Sequence, residues 1–443
     1  MKKQPSDFLR LLFAFFAGAF LIGAVCMPDR SEMLQGLWRI ASKTAKIPTN
    51  YFDPGYGGYA GAFLNAGLIC LVMTALFCLP AAKPNAASVI AFLLTAGFSF
   101  WGINLLNLWF GFAGVALYCL VKKVRLGTQV NAMLFTTGLA PLISDLLLAY
   151  PHAEAVGFHW QGVLLALLVG LVIGFFLPAG LAASASIHKG FDLYSAALPV
   201  GMTAFFLHFL LYGVIGAARG NGTGATTLLT YAAPTAVNVF CLSLFGLCIV
   251  FALLFGCKPK DYLPLLKDSG YGVDFSQKYG PAAMLMNVGV FGLFILAYYD
   301  LVALLSGNGA VFNGVTFGCI FCMLATCCSG SHPRNVLPVI LGYVAASMLL
   351  RLVSGALPET DFKLTLDAQA ILIGLCFANG LSPISGRFGP LWGIVAGALH
   401  YCLVTGVPLL HGAFCLYNGG FTAAIVCILL VPVLEHFSKR AKQ

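Results

Sequence analysis

The sequence predicts an all-α polytopic membrane protein of about 14 membrane segments, arranged as two inverted-topology repeats of seven. Three observations predict it. Of 443 residues, 60% are hydrophobic and only 9% charged, with a mean hydropathy of +0.92. The same polar punctuation occurs twice along the chain in the same order. The basic residues gather on alternate connections between apolar runs.

Composition excludes a soluble domain, which could not bury this much apolar surface. The apolar runs are about 17–24 residues long, which suits helices rather than the alternating strands of a barrel. They fall near 8–27, 57–80, 86–101, 105–121, 128–149, 162–186 and 191–215, then near 233–256, 280–303, 311–328, 333–351, 367–384, 390–407 and 411–434. The first follows Met-Lys-Lys but lacks a small-x-small cleavage site, so it reads as a membrane helix rather than a signal peptide. The fifteen cysteines are scattered through these runs without Cys-x-x-Cys spacing, as small helix residues and not as a metal or redox framework.

The repeat divides the chain at 1–222 and 223–443. Gly138-Leu139-Ala140-Pro141 returns as Gly380-Leu381-Ser382-Pro383, a cluster that breaks an apolar run because proline lacks an N–H and glycine frees the backbone. Asn65 matches Asn287, Asn107 matches Asn335, and His188-Lys-Gly-Phe-Asp-Leu-Tyr194 matches His411-Gly-Ala-Phe-Cys-Leu-Tyr417. Seven is odd, so tandem halves must sit upside down relative to each other. With a cytoplasmic N-terminus, 17 of the 24 basic residues fall inside; Arg30, Arg39, Lys43, Lys46, Arg219, Arg351 and Lys363 fall outside. That imbalance predicts both termini in the cytoplasm of a bacterial inner-membrane protein.

Runs 86–101 and 105–121 are short and parted only by Gly-Ile-Asn; runs 311–328 and 333–351 are joined by Cys-Ser-Gly-Ser-His-Pro-Arg-Asn. Matched, interrupted segments of this kind point to a transporter's binding site, either as re-entrant broken hairpins or as two complete spans with a surface turn. The candidate solute ligands are Asn104, Asn107, Ser329, Ser331, His332, Arg334 and Asn335 at the two breaks, expected to face each other at mid-membrane. Asn65, Asn287, Asn379 and Ser382 join them, although an asparagine in a membrane helix also serves simply to bond a neighbouring helix. Asp145 is the candidate coupling carboxylate, with a loop-end role as its alternative. His188 and His411 read as structural before proton-responsive. The Cys257–Lys278 connection reads as an ordered loop on the membrane face.

No His-Glu-x-x-His, Walker A loop, Gly-x-Ser-x-Gly or cysteine–histidine spacing occurs, so neither an enzyme nor an ATP-driven pump is expected, and no cofactor or metal. Lipid and a small solute are the expected partners, with nucleic acid excluded and a homo-oligomer left open.

Leu410-His-Gly-Ala-Phe-Cys-Leu-Tyr-Asn-Gly-Gly-Phe421, together with Gly-Leu-Ser-Pro-Ile-Ser385 and Ser269-Gly-Tyr-Gly-Val-Asp-Phe275, resembles an uncharacterised bacterial polytopic membrane family, a domain of unknown function. That resemblance covers essentially the whole chain and implies no activity. Leu416-Tyr417-Asn418 is faintly similar to a urea-channel segment, but the Asn-Asn-Pro signature is absent. Seven spans per half is also similar in count to the nucleobase and sulfate carriers, which says nothing of substrate. The expected work is moving a small polar or anionic solute by alternating access. A passive channel for a neutral solute and a non-transporting scaffold or sensor subunit are the alternatives.

Overall fold

A computed structural model describes residues 5–217, 234–306, 313–357 and 364–440. The 222/223 boundary expected between the halves lies outside the described residues. The chain is helical, with no strand among the described residues. In the first half α1 (Pro5–Cys26), α2 (Met33–Ser42) and α3 (Gly58–Phe77) precede two short helices, α4 (Ala86–Phe98) and α5 (Trp109–Lys122). Then come α6 (Val130–Thr136), α7 (Ala140–Leu148), α8 (Trp160–Ile187) and α9 (Ala197–His208). In the second half α10 (Pro234–Leu254) leads through α11 (Pro259–Tyr262) and α12 (Phe275–Lys278) to α13 (Pro281–Ser306). It continues as α14 (Gly314–Leu324), α15 (Pro333–Ala356), α16 (Gln369–Ala378) and α17 (Ser382–Phe388). It closes with α18 (Pro390–Val404), α19 (Val407–Leu410) and α20 (Asn418–Arg440).

Among the described residues, 10 helices are long and apolar enough to cross a membrane, as a multi-pass membrane protein requires. All of the expected runs fall on helices, but four of them (86–98, 109–122, 314–327 and 390–404) are shorter than a full crossing of about 20 residues. Capping sets these ends. Asn85 and Asn313 each accept an amide from the residue three along, Ser88 and Thr316, whose hydroxyls accept in return. The Gly-Leu-x-Pro clusters do interrupt their helices: Thr137–Leu139 and Asn379–Leu381 are 3₁₀ turns, with Pro141 and Pro383 in the first turn of the next helix, where a missing N–H costs nothing.

The core is organised by α4 and α14, which run antiparallel. Leu94 lies by Cys322, Gly97 by Gly318 and Phe100 by Gly314. A Cβ on Gly97 or Gly318 would stand 2.4 or 2.2 Å from the other's carbonyl oxygen, so only glycine permits this approach. Every residue of α14, and all but Ala87 of α4, is buried. Each helix ends in a non-helical tip, and because the pair is antiparallel the tips lie at opposite ends, about 20 Å apart by helix rise. The two breaks therefore do not face each other, contrary to expectation.

Each tip is covered by the long loop that precedes it. On the first, Tyr51 N–H donates to Phe100 O (3.2 Å) and Asn104 Nδ2 to Ile40 O (3.2 Å), while Asn50 Oδ1 accepts from Gly314 N–H (2.8 Å). On the second, Phe275 N–H donates to Cys328 O (2.8 Å), and Asp274 Oδ2 accepts from Ala86 N–H (3.0 Å). Gly270 (φ +75°) abuts Gly330 (φ +146°); a side chain on either would strike the other's backbone. The Cys257–Lys278 loop is thus ordered, as its composition predicts.

Candidate functional site

The tips are braced by one asparagine each. Asn65 Nδ2, on α3, donates to Ser99 O (2.7 Å) and Ile103 O (2.9 Å). Asn287 Nδ2, on α13, donates to Cys327 O (2.7 Å) and Ser331 O (2.9 Å). A helix that stops inside the protein leaves carbonyls without partners, and one primary amide satisfies two of them. The second asparagine pair works alike: Asn107 donates to Gly102 O (3.0 Å) and Asn335 to Gly330 O (2.8 Å), while their Oδ1 atoms accept from the amides of Asn104 (2.9 Å) and His332 (3.0 Å). Asn104 Oδ1 is taken by the amides of Leu106 and Asn107, both at 2.9 Å. These asparagines bond mostly to backbone, with Asn107 Nδ2 also donating to Ser144 Oγ (2.9 Å) and Asn287 Oδ1 accepting from Tyr262 OH (3.1 Å), which is the structural alternative to solute binding.

Another set of side chains forms a chain of bonds to one another, with further bonds to backbone carbonyls. Tyr194 OH lies 2.8 Å from Asn379 Oδ1 and 2.7 Å from Cys322 O. Asn379 Nδ2 donates to Thr326 Oγ1 (2.8 Å) and Met323 O (2.7 Å). Thr326 Oγ1 donates to Ser331 Oγ (2.7 Å), which lies 3.1 Å from Ser382 Oγ. All five are buried. The hydroxyls can rotate to donate or accept, so this chain can exchange internal bonds for bonds to a solute without leaving a buried group unpaired. Opposite it, Tyr417 packs against Gly138, and Thr137 Oγ1 lies 3.3 Å from Thr95 Oγ1. The rings of Phe98 and Phe377, with centroids 6.0 Å apart, stand between the two tyrosines. The halves interlock here: Leu193 N–H donates to Gly380 O (3.1 Å) and Leu416 N–H to Gly138 O (2.8 Å).

Charged groups sit at the covers. Asp268 accepts from Lys278 Nζ (2.6 Å), Tyr279 OH (2.6 Å) and Gly270 N–H (2.9 Å). Burial pushes its carboxyl up, but these three donors outweigh burial and hold it below the usual carboxylate range. His332 donates through Nε2 to Asp268 O (3.0 Å), and its Nδ1 accepts from Asn335 N–H, so it is a neutral ring; burial lowers its pKa. Arg387 stacks on Tyr271 at 4.5 Å and Phe191 at 5.8 Å. On the other cover, Lys46 pairs with the buried Asp145 (3.4 Å), which also accepts from Tyr212 OH.

The predicted residues therefore separate into two groups. Asn65, Asn104 and Asn107 surround the first tip; Asn287, Ser331, His332, Asn335, Asn379 and Ser382 surround the second. Arg334 is exposed and Ser329 half-buried, its hydroxyl on Thr326 O. Asp145 has fixed partners on both oxygens. His188 and His411 bond Ser195 and Asn418 in their own breaks. Sequence reasoning missed Tyr194, Tyr417, Thr326 and Thr137. The tyrosines were visible as the last letters of the repeated Phe-x-Leu-Tyr, but a tyrosine in an apolar run reads as packing.

No curated protein and no solved structure matches the chain, and the faint likeness to urea channels finds no support. A family model described as a protein of unknown function, DUF1576, matches residues 29–212 and 258–436. With the greater part of its length matched, in two stretches that flank α10, the chain belongs to the DUF1576 family.

Proposed function

We propose that this protein is a carrier of a small polar solute in the bacterial inner membrane, built as two inverted-topology repeats around the Tyr194–Asn379–Thr326–Ser331–Ser382 chain. One observation carries the reading: two broken hairpins are braced by the same pair of asparagine bonds and lie antiparallel, each tip under its own loop. A site covered from both ends is the occluded form of an alternating-access cycle, in which loosening either cover admits solute from one side only. Hydroxyls, an amide and aromatic rings suit an uncharged or zwitterionic molecule that donates and accepts hydrogen bonds. An anion is less well served, since Arg334, the cation in the second break, is exposed. Alternation of the basic residues supports a cytoplasmic location for the termini and the 257–278 cover.

The test is an untargeted comparison of solutes accumulated by cells with and without the protein. The carrier reading expects saturable uptake of one chemical class, reduced at least tenfold by Asn379→Ala. Flux that rises linearly with concentration would mean a channel. No difference in any solute, with a second protein co-purifying, would mean a scaffold.

A further inference from the structure

Asp192 lies between the membrane helices α8 and α9, where the break of the first half meets the 3₁₀ turn of the second. It is 2% exposed. One carboxyl oxygen accepts from Tyr194 N–H (2.9 Å); the other is buried without a hydrogen-bond partner. The groups around it supply no cation. His188 Nδ1 accepts from Asp192 N–H (3.3 Å), so its proton is on Nε2, facing Ser195; burial lowers this imidazole to about 4 and keeps it neutral. From α20 the neighbour is the Cys427 thiol. Lys189 is bound to Glu435 (2.6 Å), and Arg387 stacks on the Phe191 ring. An ionised carboxylate buried so, without a counter-charge, is strongly disfavoured.

Architecture does not require the carboxyl. The matching break of the second half runs Phe414-Cys415-Leu416-Tyr417, with an equally buried cysteine where the first has Asp192. Its interlocking bond is the same: Leu416 N–H to Gly138 O at 2.8 Å, against Leu193 N–H to Gly380 O at 3.1 Å. Position 192 can thus be held without an acid. The acid sits two residues from Tyr194, the head of the polar chain, on the seam that must part if the halves move. Asp145 differs, since Lys46 supplies it a counter-charge and Tyr212 OH donates to it.

We infer that Asp192 is a proton-binding site: the carboxyl carries a proton while the halves are closed on it and releases that proton to water when the seam opens. Its role as the group coupling solute to protons rests on the carrier reading above. Burial pushes the Asp192 carboxyl up to about 8, outweighing the Tyr194 amide that favours the anion, so a proton held at neutral pH is accessible to titration.

The purified protein is titrated from about pH 5 to about pH 10 by infrared difference spectroscopy and thermal unfolding, alongside Asp192→Asn and Asp192→Cys, the latter the residue of the other half. A folded pKa above the unfolded one stabilises fully below about pH 4 and is lost as pH rises towards about 8. Wild type should therefore fall in melting temperature across that window, and should keep a protonated-carboxyl band until the pH passes through about 8. Both variants should lack the band and show a flatter melting profile. A band and profile unchanged by either substitution overturn the assignment. No solute is needed, so failure here is distinct from failure of the uptake experiment. In that experiment Asp192→Asn should abolish the pH dependence of uptake.

Discussion

Asn65 and Asn287 show why a polar residue belongs in an apolar helix: each closes two carbonyls that a neighbouring helix end leaves open. Asn287→Ala removes both donors and also strands Tyr262 OH, which lies 3.1 Å from Asn287 Oδ1. Loss of about 1–3 kcal/mol is expected from unsatisfied buried groups, read from chemical unfolding in detergent. Asn287→Asp should be no better, because an ionised carboxylate cannot donate. A midpoint equal to wild type would mean that helix packing alone holds the tip. The asparagines were legible in the sequence as a matched pair, and their spacing within the repeat marked them. What their amides bond was not legible, since the partners are backbone carbonyls 34 to 44 residues away.

Among the elements, the 264–279 cover depends on Asp268, whose bonds to Lys278, Tyr279 and Gly270 tie the loop to itself while its carbonyl holds His332. The carboxyl is held below its ordinary value, so its contribution is complete above the unfolded pKa of about 4 and is lost as pH falls through the lower folded value. Amide protection in residues 265–279, measured against the intrinsic exchange rate at each pH, should be high near neutrality and fall in acid. Asp268→Asn should show the low protection at every pH. High protection in that variant would assign the order of the loop to Gly270–Gly330 contact and to Phe275. The sequence marked the loop as ordered from its prolines, glycines and acids, yet could not indicate that it covers a broken helix.

At the scale of the molecule, α4 and α14 start at opposite ends of one buried pair, so the covers at 43–57 and 264–279 sit on opposite ends of it. Single cysteines at Lys43 and Lys260, in a background without the exposed native cysteines, should react with an impermeant maleimide from opposite sides of the membrane, Lys260 only from the cytoplasm. Labelling of both from one side would remove the inverted topology and the alternating-access reading with it.

The sequence by itself determined the class, the places of the apolar helices (though not of α2, Met33–Ser42) and the pairs of residues that recur. Hydropathy sets which segments leave water, and glycine and proline chemistry sets where a helix must stop; both act locally and can be read along the chain. Only the tertiary structure decided that the two tips lie about a helix length apart, that Arg334 turns outward, and that Tyr194 and Thr326 complete a chain with Asn379. The first comes from the antiparallel crossing at Gly97 and Gly318, and the last from bonds among Tyr194, Asn379 and Thr326; all are contacts between residues far apart in sequence. Asp192 belongs to the same category: beside its neighbours in sequence it is a loop-end acid, and only the closure of one half on the other leaves its second oxygen buried and alone.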